Sequence, residues 1–407
     1  IHPKWKDLYY WLVQTIPADL KTLIRMLISS FDGNIASDIN NILKLFNRSS
    51  AKPPVHELRR WLDFVEWYQG AMTDWVEFWI KTARKYFPKN EIYLVTGGNG
   101  KTMLGADFSA QTKIASKYNA GIRITNQNDD YRESFIRTRL VSSASRNYDS
   151  YFTTEEAGVN HPRAVAMRIF DAVTSGARGA YFKSIIGTGS NLCGGRNFPP
   201  GQPTEGAAHL MRNIHCFSFF GPIIESAIFF PNTSLSFDYC ILDSLYNQCS
   251  KLRALIDFDL IDENMIDDDL LRKYRFLIIL NGNYLRKNTL MKMRSWVMQG
   301  GILISASFLE LTHIDVNRNV FPELLNGLEN LTKLNRGFLL LFKDRKPNYL
   351  TFISEAILNR DKKYPWEAIL KIRNHQYGQY ATQFSNKIMY YDPKKCEIRI
   401  RKISNAG

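Results

Sequence analysis

The chain has 407 residues, a net charge of +14 at pH 7 and 45% hydrophobic residues. This composition is typical of a globular protein of two or three domains with a buried core, and it excludes disordered, collagen-like and fibrous proteins. No apolar run approaches the roughly 20 residues that a membrane-spanning helix needs. The first residues also lack the order of charged, apolar and cleavage-site segments that a signal peptide has. We therefore expect a cytoplasmic protein that does not enter a membrane.

The five cysteines are widely spaced and form no Cys-x-x-Cys pair. The sequence therefore indicates neither a zinc site nor a redox site. It also lacks a phosphate-binding P-loop and a dinucleotide-binding fingerprint. We expect a protein without cofactor or metal.

The positive charge raises the question of nucleic-acid binding. Residues 326–407 hold 16 Lys and Arg against 7 Asp and Glu, and there the charged residues alternate with apolar ones, as in residues 397–403. Such alternation is typical of a half-buried strand with one solvated face. Because no recognition motif accompanies the charge, the sequence argues against nucleic acid as a partner.

The first 90 residues are predicted to be helical, with a break at the Pro-Pro pair of positions 53–54. In the second part, Trp61, Trp75 and Trp79 belong to a stripe of apolar residues that recur every three to four positions. Such a stripe usually faces the core. A sugar-binding platform is the alternative interpretation.

Strand and helix then alternate four times. The predicted strands are residues 92–96, 121–125, 151–155 and 179–183, and the predicted helices are residues 109–118, 132–140, 163–175 and 207–219. This rhythm is typical of a parallel α/β sheet or barrel.

A second α/β unit is predicted over residues 226–325. Its expected strands are residues 227–230, 255–257, 276–280 and 302–305, with an amphipathic helix at 289–299. The pattern indicates a small doubly wound, flavodoxin-like domain. Short strands at residues 338–342, 387–391 and 397–403 then predict a β-rich C-terminal domain over residues 326–407.

In a parallel barrel the catalytic groups lie at the C-terminal ends of the strands. Glu155 and Glu156 stand where the third predicted strand ends, and a carboxylate there is costly unless it is paired or used. Alternation along a strand lets at most one of the two face the barrel axis. An ion pair with Arg123 or Arg139, or a plain loop position, is the alternative interpretation, and the spacing does not choose between them.

The segment Tyr-Phe-Thr-Thr-Glu-Glu-Ala-Gly at residues 151–158 resembles the seventh strand of retaining glycosidases built on a (β/α)8 barrel. Within that clan the sequence is most similar to glycoside hydrolase family 42, the β-galactosidases with a trimerisation domain. Residues 61–88 are similar to the helix before the fifth barrel strand, residues 272–302 to the trimerisation domain, and the β-rich tail to the C-terminal domain. The resemblance implies that residues 1–225 are the C-terminal half of the barrel and that residues 226–325 mediate oligomerisation.

In that family the seventh-strand glutamate is the nucleophile. Glu155 matches it as the first residue clear of the strand, whereas Glu156 occupies the place of the family's polar amide and is the second choice. The resemblance thus implies retaining hydrolysis of a carbohydrate, with two carboxyl groups about 5–5.5 Å apart. By their position near strand ends, the candidates for binding sugar hydroxyls are Asp107, Asn126, Asp129 and Lys183, each of which is alternatively a loop or salt-bridge residue.

The family's acid/base glutamate follows an Asn at the end of the fourth strand, and no strand-Asn-Glu segment precedes residue 92. The four predicted strands would then be barrel strands five to eight. We expect a second polypeptide to supply strands one to four together with the acid/base carboxyl. The alternatives are a non-catalytic carbohydrate-binding or scaffold protein derived from a glycosidase, and a nucleic-acid binder.

Overall fold

The computed structural model describes most of the chain between residues 55 and 306 and short strands beyond it. The described ranges are 55–96, 102–126, 130–156, 162–182, 211–215, 221–238, 241–282, 284–306, 312–313, 318–319, 338–342, 380–384, 387–392 and 397–402. The predicted helical stretch before residue 54, much of the predicted helix at 207–219, and the candidates Asp129 and Lys183 lie outside the described residues.

The first sheet has four strands in the order β1-β2-β3-β4, and each neighbouring pair is parallel. Its elements are α1 (Val55–Tyr86), β1 (Tyr93–Thr96), α2 (Phe108–Lys117), β2 (Gly121–Asn126), α3 (Tyr131–Asn147), β3 (Tyr151–Glu156), α4 (Pro162–Thr174) and β4 (Ala180–Phe182). The predicted α/β fold class is thus confirmed, with sequential parallel strands joined by helices.

One face of the first sheet is packed and the other is open. Ile122, Ile124 and Phe152 are at most 1% exposed and belong to the core beneath the helices. Because side chains alternate along a strand, the opposite face, which we call the open face, carries Arg123 and Glu155. Among the described residues the helices pack on the first of these faces, and polar residues lie on the other.

Helix α1 turns an unexpected side to the core. Val76 and Ile80 are buried, whereas the neighbouring Trp75, Phe78 and Trp79 are 55%, 53% and 50% exposed. The prediction that this stripe lies in the core is therefore wrong for Trp75 and Trp79. The aliphatic residues one position along, rotated by about 100°, take the buried positions.

Gly121 opens β2 at a place where only glycine fits. A Cβ atom there would lie 2.3 Å from the ring of Tyr151 on β3. The ring crosses the start of β2, and its hydroxyl donates to the carbonyl oxygens of Ile92 and Asn119. This close approach fixes the strand register at the N-terminal end of the sheet.

The second sheet has five parallel strands in the order β6-β5-β7-β9-β12, the 2-1-3-4-5 order of flavodoxin-like sheets. Its elements are β5 (Ser226–Phe230), α5 (Asn232–Phe237), α6 (Ile241–Arg253), β6 (Asp259–Asp262), α7 (Glu263–Asp267), β7 (Phe276–Ile279), β8 (Tyr284–Leu285), α8 (Lys287–Met298), β9 (Ile302–Ala306), β10 (Thr312–His313), β11 (Arg318–Asn319) and β12 (Phe338–Phe342). Strands β8, β10 and β11 form a separate small ladder.

Two expectations for this region differ from the structure. The strand predicted at 255–257 is wrong, because the amide groups of Leu255 and Ile256 bond to the carbonyl of Leu252 and close helix α6; the strand is β6. Strand β12 pairs with β9 instead of joining the C-terminal strands. The second sheet thus extends past the domain boundary predicted at residues 325 and 326.

The third sheet is antiparallel and consists of β13 (Tyr380–Phe384), β14 (Lys387–Asp392) and β15 (Glu397–Lys402). Met389 and Tyr391 are buried, and the Tyr391 ring stacks on Phe170 of α4 at 5.6 Å. Of the helices that the structure describes, none combines the length and apolar character that crossing a membrane requires.

Candidate active site

Glu155 lies near the C-terminal end of β3, and its side chain is 20% exposed. In the strand register it stands beside Thr125 of β2. The hydroxyl of Thr125 donates a hydrogen bond of 3.0 Å to Oε2 of Glu155, and Nη2 of Arg123 pairs with the same oxygen at 3.3 Å. Two donors from one neighbouring strand therefore orient the carboxylate.

The two oxygens of this carboxylate are not equivalent. Oε2 of Glu155 receives both donors, while no hydrogen bond or ion pair to Oε1 occurs among the described residues. A charge-assisted contact to an arginine is a strong one, so it restricts the carboxylate to one rotamer. Among the described residues, Oε1 is thus the carboxylate oxygen that receives no donor.

The two arginines considered from the sequence have different roles. Arg123 makes the ion pair with Glu155. Arg139 is fully buried and pairs instead with Asp257 at 3.2 Å and Asp259 at 3.6 Å, next to the second sheet. Only Arg123 therefore belongs to the candidate site.

The backbones of Glu156 and Asn126 pair with each other at the last rung between β2 and β3. The carboxyl ends of these strands thus bring the backbone of Asn126 beside that of Glu156, one residue past Glu155. A parallel sheet collects candidate ligands at this edge because all its strands end there.

Asp107 has a role in the fold. It is the N-cap of α2: Oδ1 accepts from the amide of Ala110 and from the hydroxyl of Ser109, both at 3.0 Å. The side-chain amide of Asn264 in α7 donates to both carboxylate oxygens, at 3.1 and 2.9 Å. The side chain of Asp107 therefore caps α2 and joins the layer of the first sheet to that of the second.

Sequence reasoning named Arg123 as one of two possible ion-pair partners, and it missed Thr125 and a pair of buried acids. Thr125 could have been found by alternation, because it shares a face with Glu155 one strand away. Asp262 ends β6 and Glu263 begins α7, and they are 1% and 0% exposed. Burial raises the pKa of Asp262 to about 6, helped by the charge of Asp107, and raises the pKa of Glu263 to about 7.

The opposite end of the open face is closed by aromatic and charged residues. The rings of Tyr93 and Tyr151 meet edge to face at 5.1 Å, and the guanidinium of Arg178 lies 4.0 Å over Tyr151. Arg178 also pairs with Glu91 at 3.1 Å. In the part of the chain that the structure describes, no group of three or more His, Cys, Asp or Glu is arranged to hold a metal ion.

Solved structures of carbohydrate-active enzymes share this fold. An exo-carrageenase of glycoside hydrolase family 42 from Bacteroides ovatus is similar with a TM-score of 0.59 and 13% identity, over 81% of this chain and 49% of that one. The family 42 β-galactosidase Gan42B from G. stearothermophilus, as a catalytic mutant, is similar with a TM-score of 0.53 and 9% identity, over 81% of this chain and 62% of that one. No model of a protein family matches the sequence, and no curated protein matches it at a significant level.

The chain thus spans about half to three fifths of the length of these enzymes. At such low identity the likeness establishes the fold. The resemblance seen in residues 151–158 agrees with it: over most of its length the chain has the α/β fold of glycoside hydrolase family 42 enzymes.

Proposed function

We propose that the protein is the nucleophile-bearing part of a retaining glycoside hydrolase of the β-galactosidase type, and that Glu155 is its nucleophile. The observation that carries the proposal is the carboxylate of Glu155 at the carboxyl end of a parallel strand, on the open face, held by Thr125 and Arg123. The fold of family 42 enzymes supports a carbohydrate as the substrate.

The proposed reaction follows from this geometry. Oε1 of Glu155 attacks the anomeric carbon while the bond to the leaving oxygen breaks, which gives a covalent glycosyl-enzyme. A second carboxyl group, about 5–5.5 Å away in retaining enzymes, protonates the leaving oxygen and then takes a proton from the attacking water. Water releases the sugar with retained configuration and restores the Glu155 carboxylate.

The second carboxyl group lies on barrel strands one to four in this proposal. The first sheet has four strands among the described residues, where a closed barrel of this type has eight. The described residues hold strands five to eight, so that residues 1–225 form the C-terminal half of the barrel. Asn126, Asp129 and Lys183 bind sugar hydroxyls, and residues 226–325 mediate self-association.

Covalent labelling tests the nucleophile directly. A 2-deoxy-2-fluoro galactosyl donor traps the glycosyl-enzyme of a retaining enzyme, and peptide mass spectrometry locates the label. We expect the label on Glu155 in the complete barrel. The Glu155→Gln variant keeps the size of the side chain and should lose several orders of magnitude in kcat.

Glu156→Gln is the matched control, since it changes the neighbouring carboxylate in the same way. It should reduce kcat far less than Glu155→Gln does. A label on Glu156, or a larger loss of kcat in Glu156→Gln than in Glu155→Gln, would show that Glu156 is the nucleophile. Activity close to that of the parent in both variants would refute the glycosidase mechanism.

A non-catalytic carbohydrate-binding or scaffold protein is the second candidate. The ion pair between Glu155 and Arg123 favours it, because a purely structural carboxylate would make the same contact. Sugar binding by the complete barrel, with neither turnover nor covalent label, would establish this alternative.

A further inference from the structure

Two buried carboxyl groups, which we call the carboxyl pair, meet where the layer of the first sheet joins the second sheet. Asp107 precedes α2 and is 8% exposed, and Asp262 ends β6 and is 1% exposed. Asp107 accepts from the amide of Ala110 at 3.0 Å and so caps α2. Asp262 accepts from the amide of Met265 at 3.0 Å and so caps α7. Each carboxyl group thus holds the start of one helix at the contact between α2 and α7.

A single hydroxyl group lies between the two carboxyl groups. Oγ of the fully buried Ser109 donates to Oδ1 of Asp107 at 3.0 Å and is also hydrogen-bonded to the Asp262 carboxyl group. Nδ2 of Asn264 donates to the same Oγ at 3.2 Å. A serine hydroxyl has one proton to donate and two lone pairs that accept. Because its proton goes to Asp107, Ser109 can bond to Asp262 only by accepting a proton from it.

The cations near the carboxyl pair are engaged elsewhere. The charged and titratable groups that surround the pair come from α1, α2, α7 and the ends of α3 and α8, and they are Glu66, Lys113, Tyr148, Glu263, Asp267, Asp268 and Arg286. Lys113 pairs with Asp268 at 2.7 Å. Arg286 pairs with Glu66 at 3.3 Å and lies 3.9 Å from Glu263. Among the described residues, neither cation forms an ion pair with the carboxyl pair, and a buried carboxylate without a cation favours its protonated form.

The electrostatics of the pair agree with this hydrogen-bond geometry. Burial, together with the charge of Asp107, raises the pKa of Asp262 to about 6 from 3.8. The closed contact therefore binds a proton that the opened contact releases. The stabilisation from this proton is fully present below about pH 3.8 and is lost as the pH rises through about 6. The contact between α2 and α7 is thus tightest in acid.

We propose that Asp107 and Asp262 share one proton through the hydroxyl of Ser109, and that this carboxyl pair is an acid-sensitive switch in the contact between α2 and α7. With the proton bound, Asp262 donates to Ser109 and Ser109 donates to Asp107, so that the hydroxyl proton and both lone pairs of Ser109 are used. Without it, two negative charges face one hydroxyl proton and repel each other. The switch goes beyond the proposed hydrolysis and does not depend on it.

Two NMR measurements on the full chain test the switch, and neither involves hydrolysis. The chemical shift of the Met265 amide follows the protonation of Asp262, because this amide donates to Asp262, and it should titrate with a midpoint near pH 6. The exchange rate of the Ala110 amide follows the opening of the contact, because this amide donates to Asp107. After correction for the intrinsic exchange rate, its protection factor should be about tenfold higher at about pH 5 than at about pH 7.5. A pKa of about 6 in the closed contact and of about 3.8 in the opened one gives this ratio.

Two conservative variants separate the members of the pair. Asn caps a helix as well as Asp does, so that Asp107→Asn and Asp262→Asn should both fold. Asp262→Asn should abolish the titration of the Met265 amide and the pH dependence of Ala110 protection. Asp107→Asn removes the repelling charge and should lower the Met265 midpoint by about one pH unit. Asp269→Asn is the matched control, because the Asp269 side chain is 63% exposed in a surface ion pair, and it should leave both measurements unchanged.

Three results would overturn the proposal. The first is a Met265 amide that does not titrate between about pH 5 and 8, or whose midpoint is the same in Asp107→Asn as in the parent. The second is a protection factor of Ala110 that is the same at both pH values. The third is a pH dependence that Glu263→Gln removes and Asp262→Asn keeps, since the proton would then belong to Glu263, which bonds to α5 instead.

Discussion

At the scale of single residues, Arg123 helps to hold the carboxylate of Glu155 in one position. Its guanidinium and the hydroxyl of Thr125 hold the same oxygen of Glu155. Preorganised contacts of this kind lower the barrier because the nucleophile does not have to find its geometry during the reaction. Arg123 acts through Glu155 in the proposed reaction, so it is a positioning residue.

Replacing Arg123 tests that role. Arg123→Gln should lower kcat of the complete barrel about 10²-fold, the size of effect that misplacing a reacting group has, with little change in KM. Arg123→Lys keeps a cation and should restore part of the loss. A rise in KM at constant kcat would show that Arg123 contacts the sugar instead of orienting Glu155.

Glu263 makes stability depend on pH. Its Oε2 accepts from the amide and the hydroxyl of Thr233, and burial raises its pKa to about 7 from 4.5. The folded chain therefore holds this proton at pH values where the unfolded chain has lost it. The resulting stabilisation is fully present below about pH 4.5 and is lost as the pH rises through about 7.

Glu263→Gln should remove this pH dependence, which amounts to about 3 kcal/mol between pH 4.5 and 8. The measurement is the free energy of unfolding in urea at several pH values, for parent and variant. The difference in the free energy of unfolding between parent and variant should change between about pH 4.5 and 8. A constant difference would show that Glu263 is ionised in the folded chain throughout.

At the scale of elements, the sequence predicted what depends on local pattern. Alternating apolar residues located all four strands of the first sheet, because each strand buries one face against helices. The prediction for Trp75 and Trp79 failed for a physical reason. Their spacing matches a buried stripe, but so does that of Val76 and Ile80, and the neighbouring elements decide which of the two stripes is buried. The pairing of β12 with β9 is a long-range contact that no local pattern encodes.

The contacts around Glu155 were predictable only in part. The position of Glu155 at a strand end follows from the strand pattern. The face of the sheet on which its side chain lies follows from the alternation of side chains along a strand. The identity of its partners depends on the register between β2 and β3, which Gly121 and the Tyr151 ring help to fix. Register comes from tertiary packing and is therefore absent from a local pattern.

Gly121→Ala tests this register. The added Cβ would meet the Tyr151 ring at 2.3 Å, so the ring or the strand must move, and we expect a loss of about 1–3 kcal/mol in the free energy of unfolding. Gly70→Ala in α1 is the control, because nothing lies within 4 Å of its Cβ. It should stabilise the chain by about 0.5–1 kcal/mol. Equal effects of both variants would contradict the close approach.

At the scale of the whole molecule, a buried ionic seam joins the first sheet's helices to the second sheet. Arg139 and Arg146 of α3 both pair with Asp259 at the start of β6, and the hydroxyl of Tyr274 donates to the same carboxylate at 2.8 Å. Arg139 is fully buried and Asp259 is 3% exposed. Burial lowers the pKa of Arg139, while the charges of Asp257 and Asp259 oppose that shift. The seam thus ties α3, the helix that precedes β3, to the second sheet.

Breaking one partner of a buried ion pair is costly because the remaining charge stays desolvated. Asp259→Asn should therefore lower the free energy of unfolding by about 3–5 kcal/mol. Lys113→Met is the matched control, since Lys113 bridges the same two layers by pairing with Asp268 at 2.7 Å but is 55% exposed. This variant should lose less than about 1 kcal/mol in the free energy of unfolding.

Urea unfolding followed by tryptophan fluorescence and by circular dichroism measures both variants. We expect coincident transitions in the parent and separated transitions in Asp259→Asn, because the variant loses the buried ionic contact between the two layers. A variant that unfolds like Lys113→Met would show that apolar packing alone couples the layers.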